Sequence, residues 1–435
     1  LFSNYKLSDL NNVDIVFTSD KSKWSRCVVV ETWNKNIGGA EVNPISNLKN
    51  FQLKDYLPSV GKNDADGDGK ADKETIFVEG LNLASGLAVG RGGVFVGQAP
   101  YLLFYPDRNK DDKPDGDPEV LLTGFGLQDA HATVNSMGWG PDGWLYGCQG
   151  FATPSKVRKP EGKGKLYRHK DPFPEDILQG EGVEINGGVW RYHPTKDKFE
   201  VVAHGFSNPW GIDYDAKGQL FISACVIPHM WHVILGGIYH RQGGQHFNPY
   251  IYSDIRTIAD HSHRSAHGGA RVYQSDAFPQ EHKGRIFMAN IHEHAVLSDI
   301  LNKRGSGFVA KHGDELLMAN NAQWVGFSME VGPDGGLYVL DWHDADICGK
   351  EVINGETGRI FRIMPKESLA KNWEGRYDDL TKLSDKQLVE LQKSPSDWHS
   401  RRARVILQSR ATKGSLDKNA VADLQTIFQS NTNSD

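Results

Sequence analysis

Residues 137–150 read "MGWGPDGWLYGCQG", and the reading of this stretch decides the fold. An apolar run reaches Asp142-Gly143, turns, and continues as a second apolar run. Glycine supplies the positive φ that a tight hairpin turn requires, so the phrase predicts two antiparallel strands. The same phrase recurs as "GLAVGRGGVFVGQ" (86–98), "GIDYDAKGQLFISAC" (211–225) and "SMEVGPDGGLYVLDW" (328–342). A second phrase closes the units: "YLLFYPD" (101–107), "GGVWRYHP" (187–194) and "GRIFRIMP" (358–365). Residues 268–292 read as a further unit without the turn phrase. The N-terminal "CVVVETWNKN" (27–36) reads as the matching strand of a first unit. Hairpin units repeating every ~40–50 residues are the signature of a propeller. The expected fold is all-β, a six-bladed β-propeller over residues 1–365, with seven blades as the alternative count and a two-sheet sandwich as the rival architecture.

After Pro365 the texture changes. Leu388, Leu391, Val405 and Leu407 recur among helix formers, and Ser384 with Gln387 three residues on forms a capping-box pattern. Residues 418–430 read as another helix. Residues 366–435 are therefore expected to be a short helical appendage.

Composition narrows the function. The chain has 435 residues and a net charge of −6, with both signs interspersed, which argues against nucleic acid as a partner. No run approaches the ~18 apolar residues of a membrane helix, so no transmembrane segment is expected. The N-terminal "LFSNYKLSDL" has no basic region followed by an apolar one, so no signal peptide is read in this chain. Cys27, Cys148, Cys225 and Cys348 form neither a CxxC zinc pair nor a CxxCH haem site, and their pairing stays open.

Two acidic loops point to calcium. "DADGDGKAD" places Asp64, Asp66, Asp68 and Asp72 at positions 1, 3, 5 and 9, with glycine at position 6 for the sharp turn. Thr75 at position 12 makes it an incomplete EF-hand. Asp107, Asn109, Asp111 and Asp115 repeat the idea more weakly. Calcium at either loop is expected to be structural.

The histidines are the other concentration of chemistry. Thirteen of seventeen lie between His204 and His343, and "ACVIPHMWHVILGGIYHRQGGQHFNPY" (224–250) alone holds four. Neutral imidazole ligates transition metals and moves protons near neutral pH. His229, His232, His246 and His263 are candidates for catalytic groups or ligands. His261 and His263 are two residues apart, as are His292 and His294; on a strand each pair would share a face. The pair His292/His294 is the speculative site for a transition metal. "GFSNPWGIDYD" (205–215) adds Asn208 as a candidate catalytic group and Trp210 as a sugar-stacking face. Trp342, with the adjacent His343, and His261 and His267 join the candidate substrate-binding residues. His282 and His312 read as surface residues.

"TGFGLQDAHATVNSMGWGPDGWLYGCQG", "SNPWGIDYDAKGQLFISACVIPHMWHVI", "GQHFNPY", "IADHSHR", "FMANIHEH", "GSGFVAKHGDE" and "GPDGGLYVLDWHDADICG…NGETGRIFRI" together resemble one family. It is the membrane-bound-dehydrogenase-type domain described in Planctomycetes and Verrucomicrobia, related to the glucose/sorbosone dehydrogenase propellers. The resemblance covers about residues 60–410. It implies an exported, periplasmic or outer-surface protein, often continued by HEAT-like helices and a c-type haem domain. The tail matches the helices; the haem motif is absent here. The related soluble aldose dehydrogenases use calcium and pyrroloquinoline quinone. By that resemblance His131, standing before "GWGPDG", is the catalytic base, with Asn135 beside it as a substrate-binding residue. Asn208 matches the asparagine of an Arg-Asn-Pro turn, but Ser207 replaces the arginine. "SACVIPH", with Cys225 and His229, replaces a Glu-His-Gly-Pro phrase. Two of the three cofactor features are thus altered, which puts quinone binding in doubt.

The leading expectation is a sugar or polyol dehydrogenase-like oxidoreductase acting on carbohydrate, with a cytochrome c or another electron acceptor as partner. The alternative is a metal-dependent polysaccharide lyase or glycoside-cleaving enzyme that uses the histidine cluster. The third is a non-catalytic carbohydrate-binding propeller.

Overall fold

The structure, a computed structural model, describes residues 13–15, 28–33, 76–167, 171–172, 175–226, 229–242, 253–319, 321–344, 359–365 and 368–430. The strands form five major antiparallel sheets that follow one another along the chain. Blade 1 contains Ala84–Gly90, Gly93–Gln98, Tyr101–Pro106 and Glu119–Leu122. Blade 2 contains Asn135–Trp139, Leu145–Gln149, Gly188–His193 and Lys198–His204, with Gly237–Ile238 added in parallel at its edge. Blade 3 contains Pro209–Tyr214, Leu220–Ala224 and Met230–Val233. Blade 4 contains His267–Val272, Arg285–Asn290, Ala295–Arg304 and Gly307–His312. Blade 5 contains Gly326–Val331, Leu337–Asp341 and Arg359–Pro365. The first strands of blades 1 to 5 lie side by side in that order, which is the inner wall of a propeller.

The described residues thus hold five blades, not six or seven. The difference has a physical source. The strand Val28–Trp33 does not found a unit of its own. It pairs antiparallel with Arg359–Pro365, and Val13–Ile15 pairs beyond it, so the N-terminal strands complete blade 5. A period read along the chain cannot show that its first strand belongs to its last sheet.

The Asp-Gly tips form as their sequence dictates. Gly143 and Gly335 take φ of 82° and 73°, the left-handed region where a Cβ is costly. Asp142 and Asp334 accept the following backbone N–H of Trp144 and Gly336 at 3.3 and 2.9 Å. The core sits between blades. Trp190, Trp231 and Trp324 are fully buried there, and truncating a side chain of this size to Ala costs about 3–5 kcal/mol. Gly147 has no side chain because the Trp190 ring lies over it; a Cβ would fall 2.2 Å from that ring.

Three helices follow the ring: α1 (Asp385–Glu390), α2 (Asp397–Thr412) and α3 (Lys418–Ser430). The capping box of Ser384 and Gln387 is formed in both directions. Helix α2 packs on the hairpin tips: Arg402 donates to the Val89 carbonyl at 2.9 Å and Gln408 to the Pro141 carbonyl at 3.2 Å. The appendage therefore covers the end where the inner strands finish. The end where they begin carries the candidate site. Among the described residues no helix is long and apolar enough to cross a membrane.

Candidate functional site

The inner strands begin at Asn135, Pro209, His267 and Gly326, so the residues just before them gather at one end of the ring. His131 lies there in a short 3-10 turn (Ala130–Ala132) capped by Asp129, whose Oδ1 accepts the His131 N–H at 2.9 Å. The same oxygen lies 3.2 Å from Nδ1 of the ring. Asp129 thus fixes both the backbone and the imidazole, leaving Nε2 directed elsewhere. The His131 side chain is 50 % exposed. Its carbonyl is held twice, by Asn208 Nδ2 at 3.0 Å and Trp210 Nε1 at 2.8 Å. Asn208 Oδ1 is buried with no hydrogen-bond partner among the described residues. Three sequence candidates thus meet in one network.

The others are placed unevenly. Asn135 is fully buried and donates to the Thr133 carbonyl at 2.8 Å. Trp342 is buried with Ala266, Ile291 and Val325. His343 has φ of 55° and donates its N–H to Asp341 at 3.0 Å. His232 packs on Phe221 and Phe308 and meets Gln219 Oε1 at 2.9 Å, away from the other imidazoles. His292 and His294 are not a same-face strand pair. They lie in the turn between Arg285–Asn290 and Ala295–Arg304, where His294 takes φ of 51° and its Nδ1 meets the Trp324 carbonyl at 2.7 Å. His246 and the loop of Asp64, Asp66, Asp68 and Asp72 lie outside the described residues.

In the second acidic loop, Asp115 accepts the N–H of Arg108 at 2.9 Å and Asn109 accepts that of Asp111 at 3.2 Å. Asp111 accepts the N–H of Lys113 at 3.0 Å. Asp107 Oδ1 is buried without a partner among the described residues, the type of oxygen a calcium ion would satisfy.

A second polar group lies between blades 3 and 4. The segment at 257–260 is wedged there: Thr257 Oγ1 and Ile258 N donate to the Met230 carbonyl at 2.7 and 3.0 Å, and Asp260 N donates to the Ala310 carbonyl at 3.1 Å. It carries His261 and His263 against His229 and Asp299. One ligand atom from each of these four side chains lies within 4.8 Å of all the others, the only such group of histidine, cysteine and carboxylate side chains among the described residues. His261 Nε2 is 3.1 Å from both His263 Nε2 and Asp299 Oδ1, and His229 Nε2 is 3.0 Å from Asp299 Oδ2. His267 stacks on His229 at 4.7 Å. Burial, then the neighbouring imidazoles, pushes His263 down to about 4 and His267 down to about 2, so both are neutral at ordinary pH. His312 is exposed, yet its ring centroid lies 4.7 Å from that of His263.

Sequence reasoning missed Asp129 and Asp299. Asp299 left a trace: a carboxylate amid the apolar "AVLSDIL" of a buried strand. Asp129, two residues before a histidine, left none.

The quinone expectation meets a local obstacle. Ser207 is uncharged and buried, and its Oγ accepts the Gln242 N–H at 2.6 Å. It cannot do what an arginine would for an acidic quinone. Cys225, in place of the calcium-binding phrase, donates its N–H to the Asn208 carbonyl at 2.7 Å. These residues do not fit the quinone as the resemblance implies.

Such a succession of sheets, with their first strands side by side, defines a β-propeller. The chain belongs to the family described as a domain of unknown function, DUF7133, whose model matches residues 60–370. A comparison with curated proteins finds no match. Among solved structures, the chain is similar to an oxidoreductase described as a glucose dehydrogenase from Thermus thermophilus, at 17% identity and TM-score 0.37, covering 66% of this chain and 97% of that one. It is similar to the PQQ-bound aldose sugar dehydrogenase of Streptomyces coelicolor, at 15% identity and TM-score 0.35, covering 66% and 95%. It is also similar to a calcium-binding regucalcin of Agrobacterium tumefaciens, at 13% identity and TM-score 0.38, covering 69% and 80%.

Proposed function

We propose that the chain is a sugar- or polyol-oxidising enzyme whose base is His131, at the end of the ring where the inner strands begin. The observation that carries this reading is the half-exposed imidazole of His131, with Nδ1 turned to Asp129 and its backbone locked by Asn208 and Trp210. A base needs one nitrogen oriented and the other open to substrate, and this arrangement supplies both. In this reading His131 Nε2 takes the hydroxyl proton, and the two electrons leave as hydride from the same carbon to an external acceptor of the quinone or dye class that must be supplied with the substrate. Asn208 acts by positioning, holding the His131 carbonyl through its Nδ2. The supporting resemblance is the ordered set of dehydrogenase-like phrases from 123 to 150 and from 207 onward.

The absence of the quinone-holding arginine at Ser207 counts against the first reading, and the reading it is weighed against is elimination from an acidic glycan. One experiment separates the two. Oxidation reduces a dye with a sugar panel and leaves no unsaturated product. Elimination raises ultraviolet absorbance and needs no acceptor. In the first reading His131→Ala lowers dye reduction by about 10²–10⁴-fold. Undiminished turnover in a folded His131→Ala protein would falsify the role of His131 in either reaction.

A further inference from the structure

The group between blades 3 and 4 has no part in the chemistry assigned to His131. We propose that His229, His261, His263 and Asp299 form a closed four-ligand site for a divalent first-row transition ion, which clamps the 253–263 segment between the two blades. Three observations carry this.

Three close contacts have the spacing of a coordination shell, and the four ligand atoms all lie within 4.8 Å of one another. Ligands bound at ~2.0–2.1 Å in a tetrahedron sit about 3.3 Å apart. The observed neighbours are 3.1 Å (His261 Nε2 to His263 Nε2), 3.1 Å (His261 Nε2 to Asp299 Oδ1) and 3.0 Å (His229 Nε2 to Asp299 Oδ2).

Hydrogen bonds alone serve this group poorly. His261 Nε2 faces both an imidazole nitrogen and a carboxylate oxygen, and a neutral ring carries one proton for two acceptors. Asp299 is fully buried, and Nδ1 of His229 has no partner among the described residues. A bound cation would satisfy the inward nitrogens and the buried carboxylate together.

On the outer side, a carboxylate stands beside two of the three histidines, as metal-ligating imidazoles need. His261 Nδ1 lies 3.3 Å from Asp260 Oδ1, and His263 Nδ1 lies 3.7 Å from Glu293 Oε2. Carboxylates on the far nitrogens turn Nε2 inward. Glu293 is itself placed by the N–H of Arg264 at 2.7 Å.

The donor set of three imidazoles and one carboxylate suits zinc-like ions rather than calcium, which prefers oxygen throughout. Side-chain exposures of 0, 17, 8 and 0 % for His229, His261, His263 and Asp299 leave the shell closed, so the ion is structural. It ties blade 3 through His229 to blade 4 through Asp299, with the wedged segment supplying the other two ligands.

The test uses the whole chain, stripped with a chelator and titrated with Co²⁺ and, separately, Zn²⁺. We expect one ion per chain, visible absorption bands of four-coordinate Co²⁺ that Zn²⁺ bleaches, and a melting temperature several degrees higher with Zn²⁺ than without. His261→Gln and Asp299→Asn should each lower Zn²⁺ affinity by at least tenfold. Should either variant fail to fold, the wild-type titration decides alone. A folded wild-type chain that binds no stoichiometric ion overturns the proposal. So does binding that both folded variants retain in full. Metal content and spectrum are independent of turnover, so failure here leaves the reading of His131 standing, and the reverse.

Discussion

At the scale of single residues, Asp129 does two jobs that can be separated. Its Oδ1 caps the short turn through the His131 N–H and lies beside the His131 ring. Asparagine caps as well as aspartate but cannot stabilise an imidazolium. Asp129→Asn should therefore leave the melting temperature within about a degree of wild type. It should lower kcat tenfold or more with little change in KM. Steady-state kinetics beside a thermal melt checks this, and an unchanged kcat would remove Asp129 from the mechanism. The residue scale is also where reading the sequence was least complete. His131, Asn208 and Trp210 stood in recognisable phrases. Their partner Asp129 stood in the same phrase as His131 but was not singled out, because a side chain reaching two residues forward has no periodic signature. Asp299 meets its histidines from 36 to 70 residues away, a closeness only the stacking of two blades creates.

At the scale of elements, the Asp-Gly hairpins were legible because turn chemistry is local: glycine at positive φ and aspartate accepting the next N–H need no distant partner. Ser384 and Gln387 marked the start of α1 for the same reason. The His292/His294 pairing misled because residues two apart share a face only on a strand, and these two occupy a turn. Helix α2 holds a further element-scale consequence. His399 is buried in its first turn, with Nδ1 2.7 Å from Ser396 Oγ and Nε2 3.1 Å from the Arg376 carbonyl. Burial pushes its imidazole down to about 4. An unfolded histidine titrates near ~6.5, so below that pH the unfolded chain takes up a proton the folded chain refuses. Stability from this residue is complete above pH ~6.5 and is lost as pH falls towards 4, by on the order of 3 kcal/mol. Urea denaturation at pH 7.5, 5.5 and 4.5 should show a shallower decline for His399→Gln than for wild type. Parallel slopes would mean that His399 is not held neutral.

At the scale of the whole molecule, one arginine decides whether the appendage and the ring melt together. Arg401, on α2, donates to Asp213 Oδ1 of blade 3 at 2.5 Å and forms an ion pair with Asp397 of its own helix, Nε to Oδ2 2.6 Å. Its guanidinium lies 4.0 Å over the Tyr214 ring, and it donates to the Tyr214 carbonyl at 3.1 Å. Asp213 is buried on the inner strand and also accepts the N–H of Val272 in blade 4 at 2.8 Å. The contact therefore joins the helix to two blades at once. Removing one partner of such a pair leaves the other carboxylates buried and uncompensated, at a cost of about 3–5 kcal/mol. The wild-type chain should unfold in one transition followed alike by far-ultraviolet and tryptophan signals, because Arg401 ties α2 to the ring. Arg401→Met should split that transition, with the helical signal lost first and the blades later. Pairing it with Asp213→Asn should recover part of the loss, since the stranded charge on the ring is then gone. A single, unshifted transition in Arg401→Met would show instead that the apolar contacts of α2 couple the two parts without the ion pair.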